Sequence, residues 1–311
     1  FASTPSYDPN AFVNGISSKD YAVLRDSPDT PLLNRALRGR YAPGSTIKPF
    51  MGIVGLDARQ SPAKQVFCPG YFTLTKGGHR FRCWKHSGHG AMSLHDAIVQ
   101  SCDVYFYDLA HQLGIDKMHG ALSEYGFGSK TGIDLFGESA ALLPSRDWKR
   151  KMRDEPWYPG ETVIAGIGQG YMLSTPLQLA SATAALANAG VRMKPFLLLA
   201  EEDPLSGDRS TSKPSTIADT NTGQQVLDLI HQSMIDVTDS ARGTARRIGL
   251  NSPYKIAAKT GTAQVIGIKQ NERYVEEEIA LRHRDHALFI AYAPAKSPAI
   301  AVAVIAENGG H

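Results

Sequence analysis

The sequence predicts an α/β (α+β) fold, in which a sheet built from sequence-distant strands carries a mostly helical insertion. Three observations predict it. Residues 254–265, 286–292 and 299–306 are β-like runs punctuated by Pro and Gly. The middle of the chain has helical periodicity with recognisable start and stop residues. With 311 residues, 42% hydrophobic and 20% charged, the chain can build a sizeable core and is not broadly disordered. Lys plus Arg total 33 against 30 Asp plus Glu, and a net charge of +3 makes no case for a nucleic-acid binder. Apolar runs such as 299–306 fall far short of the roughly 20 residues a membrane span needs. No signal peptide is visible and the first residue is Phe1, so the chain reads as a soluble fragment of something longer.

In order along the chain, residues 1–44 are rich in turn residues (Pro5, Pro9, Pro28, Pro43-Gly44) and predict short extended pieces and loops. Ile47, Phe50, Met51, Val54 and Leu56 then recur at helical spacing, and Pro49 fits only a first turn. Ser45 thus starts a helix, with Lys48 one turn later on the same face. Residues 60–92, rich in Gly, His and aromatics, predict a long loop or a subdomain of loops. Helices are predicted over 94–100 and over 104–113, the second ended by Gly114. Ser101-Cys102-Asp103 falls at their junction. Thr175 as N-cap, Pro176 and Gly190 bracket a helix over 176–189. Residues 201–222 read as a polar surface insertion, followed by a helix over 224–234. A charged excursion, 269–284, separates the first two late strands.

Three segments carry chemistry: Ser45-Thr46-Ile47-Lys48, Ser101-Cys102-Asp103 and Lys259-Thr260-Gly261-Thr262. A serine hydroxyl is a poor nucleophile until a neighbour takes its proton. A lysine one turn on can do so if burial or another cation lowers its pKa. Backbone N–H groups at the helix start are available to an oxyanion. Lys259 with two threonine hydroxyls can hold a carboxylate, and Gly261 would let a substrate backbone approach the strand edge. Taken singly, the first motif is common on surface helices and the third fits a strand with a bulge.

Together and in this order, the segments resemble the penicillin-binding protein and serine β-lactamase superfamily. Ser3-Thr4-Pro5-Ser6-Tyr7-Asp8-Pro9-Asn10, Gly44-Ser45-Thr46-Ile47-Lys48-Pro49, Gly166-Ile167-Gly168-Gln169-Gly170-Tyr171 and Ala258-Lys259-Thr260-Gly261-Thr262-Ala263-Gln264 resemble the class B transpeptidases. Arg284-Asp285-His286 and Glu307-Asn308-Gly309-Gly310 resemble the penicillin-binding protein 2 subfamily of rod-shaped Gram-negative bacteria. The likeness covers essentially the whole chain.

The resemblance implies a five-stranded or similar antiparallel sheet with helices on both faces and a mostly helical second lobe. The sheet lobe would span about 1–58 and 191–311, and the helical lobe about 59–190. It also implies a D,D-transpeptidase that crosslinks peptidoglycan stem peptides and is acylated by β-lactams. Ser45 would be the nucleophile and Lys48 its general base, with Ser101 relaying a proton to the departing D-alanine. The N–H groups of Ser45 and Thr262 would bind the oxyanion, and Lys259, Thr260 and Thr262 the terminal carboxylate. Its site would be the periplasmic face of the inner membrane. A membrane anchor and a pedestal domain would lie outside this chain. The partners would be a membrane glycosyltransferase and scaffold proteins of the elongation machinery, and a final helix would follow His311 to pack on the sheet. No cofactor is implied for catalysis. A serine β-lactamase and a non-catalytic penicillin sensor or scaffold are the rival readings. The first needs a water-activating base, and Glu155 and Glu161 stand near the right region without a recognisable pattern.

Asp103 departs from the family's usual Ser-x-Asn. An ionised carboxylate can accept a hydrogen bond but not donate one, so Asp103 is expected to orient Lys48 and Ser101. Beside it in sequence, Cys68, Cys83, His89 and Cys102 supply three thiols and an imidazole, the donor set of a structural zinc site. Such a site would staple the 60–92 segment to the loop carrying Ser101. One disulfide with a free thiol, or three free thiols, are the alternatives, and His79, His86 and His95 compete with His89. Gly166, Gly168 and Gly170 lack the context of a dinucleotide loop and are expected near the cleft. Trp84, Trp148, Trp157 and Tyr158 are expected as core or cleft-wall aromatics, and the charged run 273–284 as a solvated loop.

Overall fold

The computed structural model describes residues 1–267 and 275–310. Helices α1 (Ser18–Arg25) and α2 (Arg35–Arg38) occupy the N-terminal stretch, and a 3-10 turn at Gly44–Ile47 runs directly into α3 (Lys48–Asp57). Short strands β1 (Val66–Cys68), β2 (Tyr71–Phe72), β3 (Phe81–Arg82) and β4 (Gly90–Met92) follow, β1 pairing with β4 and β2 with β3. Next come α4 (Leu94–Val99), α5 (Asp103–Leu113), α6 (Ile115–Glu124), α7 (Arg146–Arg153), α8 (Pro159–Ala165) and α9 (Pro176–Ala187). Strands β5 (Val191–Met193), β6 (Ala200–Glu202), β7 (Arg209–Thr211) and β8 (Thr216–Asp219) form two small ladders. They precede α10 (Gln224–Asp239) and α11 (Arg246–Gly249). The chain closes with β9 (Ala257–Ala263), β10 (His286–Ala293) and β11 (Ile300–Ala306).

These last strands form one antiparallel sheet in the order β11-β10-β9, so β9 is an edge. Among the described residues the sheet has three strands, not five. The N-terminal stretch expected to be extended contains α1 instead, started by Ser17, whose hydroxyl accepts from the Asp20 N–H. Register puts Lys259, Ile290 and Ala303 on one face and Ala258, Ala291 and Val302 on the other. The first face meets the core: Leu288, Ile290 and Tyr292 are buried there, and Tyr292 packs against His231 of α10. His231 Nε2 reaches the Leu186 carbonyl of α9 at 2.9 Å, so both helices that pack on the sheet share that face. Among the described residues these two helices lie on one face of the sheet, where helices on both faces were expected. Ile300 and Val304 on the other face are 60% and 55% exposed.

The buried helical core below the sheet is built around α3 and α5. Residues 50–54 and 104–110 supply Phe50, Met51, Ile53, Phe106 and Ala110, each at most 1% exposed. The predicted helix over 176–189 is present as α9, with a Thr175–Gln178 capping box, and ends two residues early at Ala187. The helix predicted over 224–234 continues to Asp239 because Val237 and Thr238 are also buried. The 60–92 segment carries the short β1–β4 ladders, and 201–222 carries three short strands. The first was expected as a loop or a subdomain of loops and the second as a polar surface insertion; strands of two to four residues are too short to show a period. Of the charged excursion 269–284, residues 269–274 lie outside the described residues.

Candidate active site

The nucleophile candidate Ser45 sits in the 3-10 turn, one turn before α3, and half-buried in a cleft of about 740 Å³. Ser101, Asp103, Thr260, Gly261 and Thr262 line the same cleft, so folding gathers the three sequence motifs. Glycines permit the convergence. Gly44 has φ +53°, and a Cβ there would lie 2.2 Å from the Thr262 carbonyl oxygen. A Cβ at Gly261 would lie 2.7 Å from Thr46 Cγ2 and 3.2 Å from the Pro43 carbonyl oxygen. The absent side chain at Gly261 thus makes room for the protein's own turn against β9, a different reason from the substrate approach expected of it.

Two lysines converge on one hydroxyl. Lys48 Nζ donates to Ser101 Oγ at 3.2 Å and to the Ser101 carbonyl at 2.9 Å, and pairs with Asp103 Oδ1 at 2.6 Å. Lys259 Nζ reaches Ser101 Oγ at 2.9 Å and the Thr260 carbonyl at 3.0 Å. Both lysines are 0% exposed. Asp103 therefore holds Lys48 directly, as expected, but it does not bond Ser101. Its second oxygen accepts from the Trp84 backbone N–H at 2.9 Å. Ser101 reaches both amines because its backbone is left-handed, φ +55°, a conformation costly for a non-glycine residue.

Burial leads the electrostatics. It pushes Lys259 well below the usual lysine value, helped by the Lys48 cation and opposed by Asp103. It also pushes the Asp103 carboxyl above its ordinary range, with the Lys48 ammonium pulling back. Among the described residues Ser45 Oγ makes no hydrogen bond, so Lys48 rests on Asp103 and Ser101 rather than on the nucleophile. Thr260 Oγ1 shares a hydrogen bond of 2.8 Å with Thr244 Oγ1, a cleft residue that carried no sequence signal.

Behind the Ser101 loop lies the sulfur cluster. The ligand-capable atoms of Cys68, Cys83, His89 and Cys102 all lie within 4.8 Å of one another. His89 Nδ1 faces Cys83 Sγ at 3.5 Å and Cys68 Sγ at 3.6 Å. The three cysteines are free and buried in this structure. His79 packs on Phe81, His86 lines the cleft and His95 contacts Ser233 and Asp236, which leaves His89 as the histidine of the cluster. Trp84 lies between cluster and cleft. Its Nε1 donates to the carbonyls of Gln100 and Ser101 at 3.1 and 3.0 Å, and its ring meets His89 edge-on.

The remaining candidates separate cleanly. Trp157 is buried, with Nε1 donating to Thr162 Oγ1 at 2.7 Å, and Trp148 packs on Tyr171. Tyr158 is exposed, its ring beneath the Lys149 ammonium. Glu155 and Glu161 both pair with the buried Lys149, and neither lines the cleft. They are not placed to activate water at Ser45.

The penicillin binding protein transpeptidase domain family matches residues 1–311. The chain belongs to that family. Over 318 aligned residues it is 46% identical to the peptidoglycan D,D-transpeptidase MrdA of Acinetobacter baumannii, covering 99% of this chain and 46% of that protein. The crystal structure of Pseudomonas aeruginosa PBP2 in complex with WCK 5153 superposes with a TM-score of 0.86 at 49% identity, covering 99% of this chain and 66% of that one. PBP2 of Helicobacter pylori, in its complex with MreC, superposes with a TM-score of 0.85 at 33% identity, covering 99% and 53%. The resemblance to the penicillin-binding protein 2 subfamily is thereby borne out, as is the α+β fold class. This transpeptidase domain spans about half the length of the curated relatives it matches.

The depressed Lys259 has a measurable consequence. Between its folded pKa and the ordinary 10.5, the unfolded chain holds one proton more than the folded one, so stability contributed by this site rises with pH. The stability difference between Lys259→Met and wild type should therefore change in wild type's favour by about 1.4 kcal/mol per pH unit across that window. Chemical denaturation of both proteins over a pH series measures it. A pH-independent difference would contradict the assignment.

Proposed function

We propose that this chain is the catalytic domain of a serine D,D-transpeptidase that crosslinks peptidoglycan stem peptides. The observation that carries the reading is the convergence of two buried lysines on Ser101 Oγ in the cleft that Ser45 lines. Ser45 Oγ attacks the carbonyl between the two terminal D-alanines while Lys48, as the neutral amine left when Asp103 holds the proton of their pair, takes the hydroxyl proton. Asp103 keeps Lys48 in reach through the 2.6 Å ion pair. Charge developing on the substrate oxygen is met by the N–H groups of Ser45 and Thr262. Collapse of the tetrahedral intermediate breaks the C–N bond, and the proton taken from Ser45 passes through Ser101 to the departing D-alanine amine. Lys259, Thr260 and Thr262 hold the terminal carboxylate. The amine of a neighbouring stem peptide then attacks the ester and restores Ser45. A β-lactam would acylate the same hydroxyl, and its ring-opened leaving group would stay tethered in the cleft.

The sheet lobe (about 1–58 and 191–311) and the helical lobe (about 59–190) meet at this cleft in our reading. We further place the protein at the periplasmic face of the inner membrane, with a glycosyltransferase and elongation scaffold proteins as partners. The solved complex of Helicobacter pylori PBP2 with MreC and the solved peptidoglycan synthase complex that coordinates polymerization and crosslinking support the partners.

The cluster of Cys68, Cys83, His89 and Cys102 fits a structural zinc ion. Three soft sulfurs and one imidazole converge within a buried volume. The Cys102 hydrogen bond pulls the Cys83 thiol below its ordinary value, while that same bond raises Cys102 and burial raises Cys68. Zinc there would supply a crosslink and no reaction step. These residues join β1, the turn after β3 and the Cys102 junction, and so hold the Ser101 loop from behind.

Two measurements test the reading. A penicillin should label the wild-type chain once, at Ser45, as read by mass spectrometry of peptides. Ser45→Ala should lose the label and all crosslinking of stem peptides, whereas rapid multiple turnover of penicillin would reverse the assignment to a β-lactamase. Metal analysis of the purified chain should return one zinc per molecule with no thiol titratable before denaturation. Zinc-free protein with reactive thiols would exclude the metal.

A further inference from the structure

Gln169 is 7% exposed, lies in the loop after α8 and bonds β9 at Thr262 and the chain just past its end at Gln264. Its side-chain Nε2 donates to the Thr262 carbonyl at 2.8 Å, and its Oε1 accepts from the Gln264 N–H at 3.4 Å. In an antiparallel strand the N–H and C=O of one residue point to the same side, and so do those of residues two apart. Thr262 and Gln264 therefore present these groups at the edge of β9 that faces away from β10. The primary amide of Gln169 engages that edge as a neighbouring strand would, taking the carbonyl of one residue and the N–H of the next but one.

The residue before it clasps the other side of the cleft. The Gly168 carbonyl accepts from the Gly44 N–H at 2.9 Å. Gly168 has φ +72°, and a Cβ on it would stand 2.4 Å from the Gly44 carbonyl oxygen. Gly44 in turn lies against the Thr262 carbonyl. The dipeptide Gly168-Gln169 thus grips both the turn that carries Ser45 and the strand that carries Thr262. It is itself anchored to the end of α8, where Gly168 N donates to the Ala165 carbonyl at 2.9 Å and Gln169 N to the Ile164 carbonyl at 3.2 Å.

We propose that Gln169 is a positioning residue for the oxyanion site: by holding the Thr262 carbonyl it fixes the strand at Thr262, and with it the direction of the Thr262 N–H and its distance from the Ser45 N–H. This rests on the transpeptidase reading above and adds to it a residue that acts through the strand without touching the reacting atoms. An oxyanion donor works only when it is aimed in advance, and removal of one such donor costs on the order of 10²–10³ in rate. Misaiming a donor rather than deleting it should cost about 10–100-fold in the chemical step.

The test is acylation by a penicillin, with the first-order acylation constant separated from the non-covalent dissociation constant by stopped-flow kinetics. Gln169→Leu, close in size and without the amide, should lower the acylation constant about 10–100-fold and leave the dissociation constant within about threefold. Difference infrared spectroscopy of the acyl-enzyme supplies a readout that a purely structural role would not move. Hydrogen bonds from the oxyanion site weaken the ester C=O, so its stretch should move to higher wavenumber in the variant. Gln169→Asn, which keeps the amide one methylene short, should show the same two changes and serves if the leucine variant does not fold. An unchanged acylation constant, a loss confined to the dissociation constant, or slower acylation with the ester stretch at the wild-type position would overturn the proposal. Failure of wild type to be acylated at Ser45 would instead sink the transpeptidase reading.

Discussion

Two lysine amines buried around one hydroxyl, with a single carboxyl group among them, form the constraint on which this structure turns. Lys48, Lys259, Ser101 and Asp103 are each less than 10% exposed. Taking charges out of water costs several kcal/mol per ion unless partners are close and well aimed. Asp103 meets that need for Lys48, and Lys259 meets it by yielding its proton more readily than a solvated lysine would. The left-handed backbone of Ser101 belongs to the same solution, since its hydroxyl serves both amines and its carbonyl serves Lys48. The proton transfer we propose, from one oxygen to a nitrogen, is served by this competition for charge.

That arrangement survives only if its surroundings over-determine it. Trp84 fastens Asp103 with its backbone N–H and the Gln100–Ser101 carbonyls with its indole N–H. Trp84 in turn follows Cys83, so the sulfur cluster and the Ser101 loop are braced by the same short hairpin segment. On the opposite wall, glycines at 44, 168 and 261 let three backbones approach within distances no side chain would allow. Where chemistry is proposed, the cleft is assembled from backbone contacts on one side and a buried polar network on the other.

The legible part of the sequence was its local chemistry. Ser45 and Lys48 three residues apart, the capped and glycine-terminated α9, and the apolar runs of β9 to β11 each follow from short-range rules. The donor set of Cys68, Cys83, His89 and Cys102 could be named from residue type, though the choice of His89 over His79 and His86 could not. Where reading failed, the deciding contact was remote. α1 was hidden by the density of Pro and Ser around it, and the strands between 60 and 92 are too short to display a period. The partner of Asp103 across 19 residues, the pairing of Thr244 with Thr260, and the crowding at Gly261 all depend on segments that sequence proximity does not connect.

The sequence by itself determined the inventory: which hydroxyls, amines, thiols and carboxylates exist, and which of them a helix turn or strand must keep together. Tertiary structure decided how that inventory is shared. It placed both lysines on Ser101 and left Ser45 Oγ outside the resting network. It also gave Gln169 the edge of β9 and put both sheet-packing helices on one face. The physical reason is that local propensity acts over a few residues, whereas desolvation and hydrogen-bond satisfaction are settled only after distant backbones have closed around the same volume.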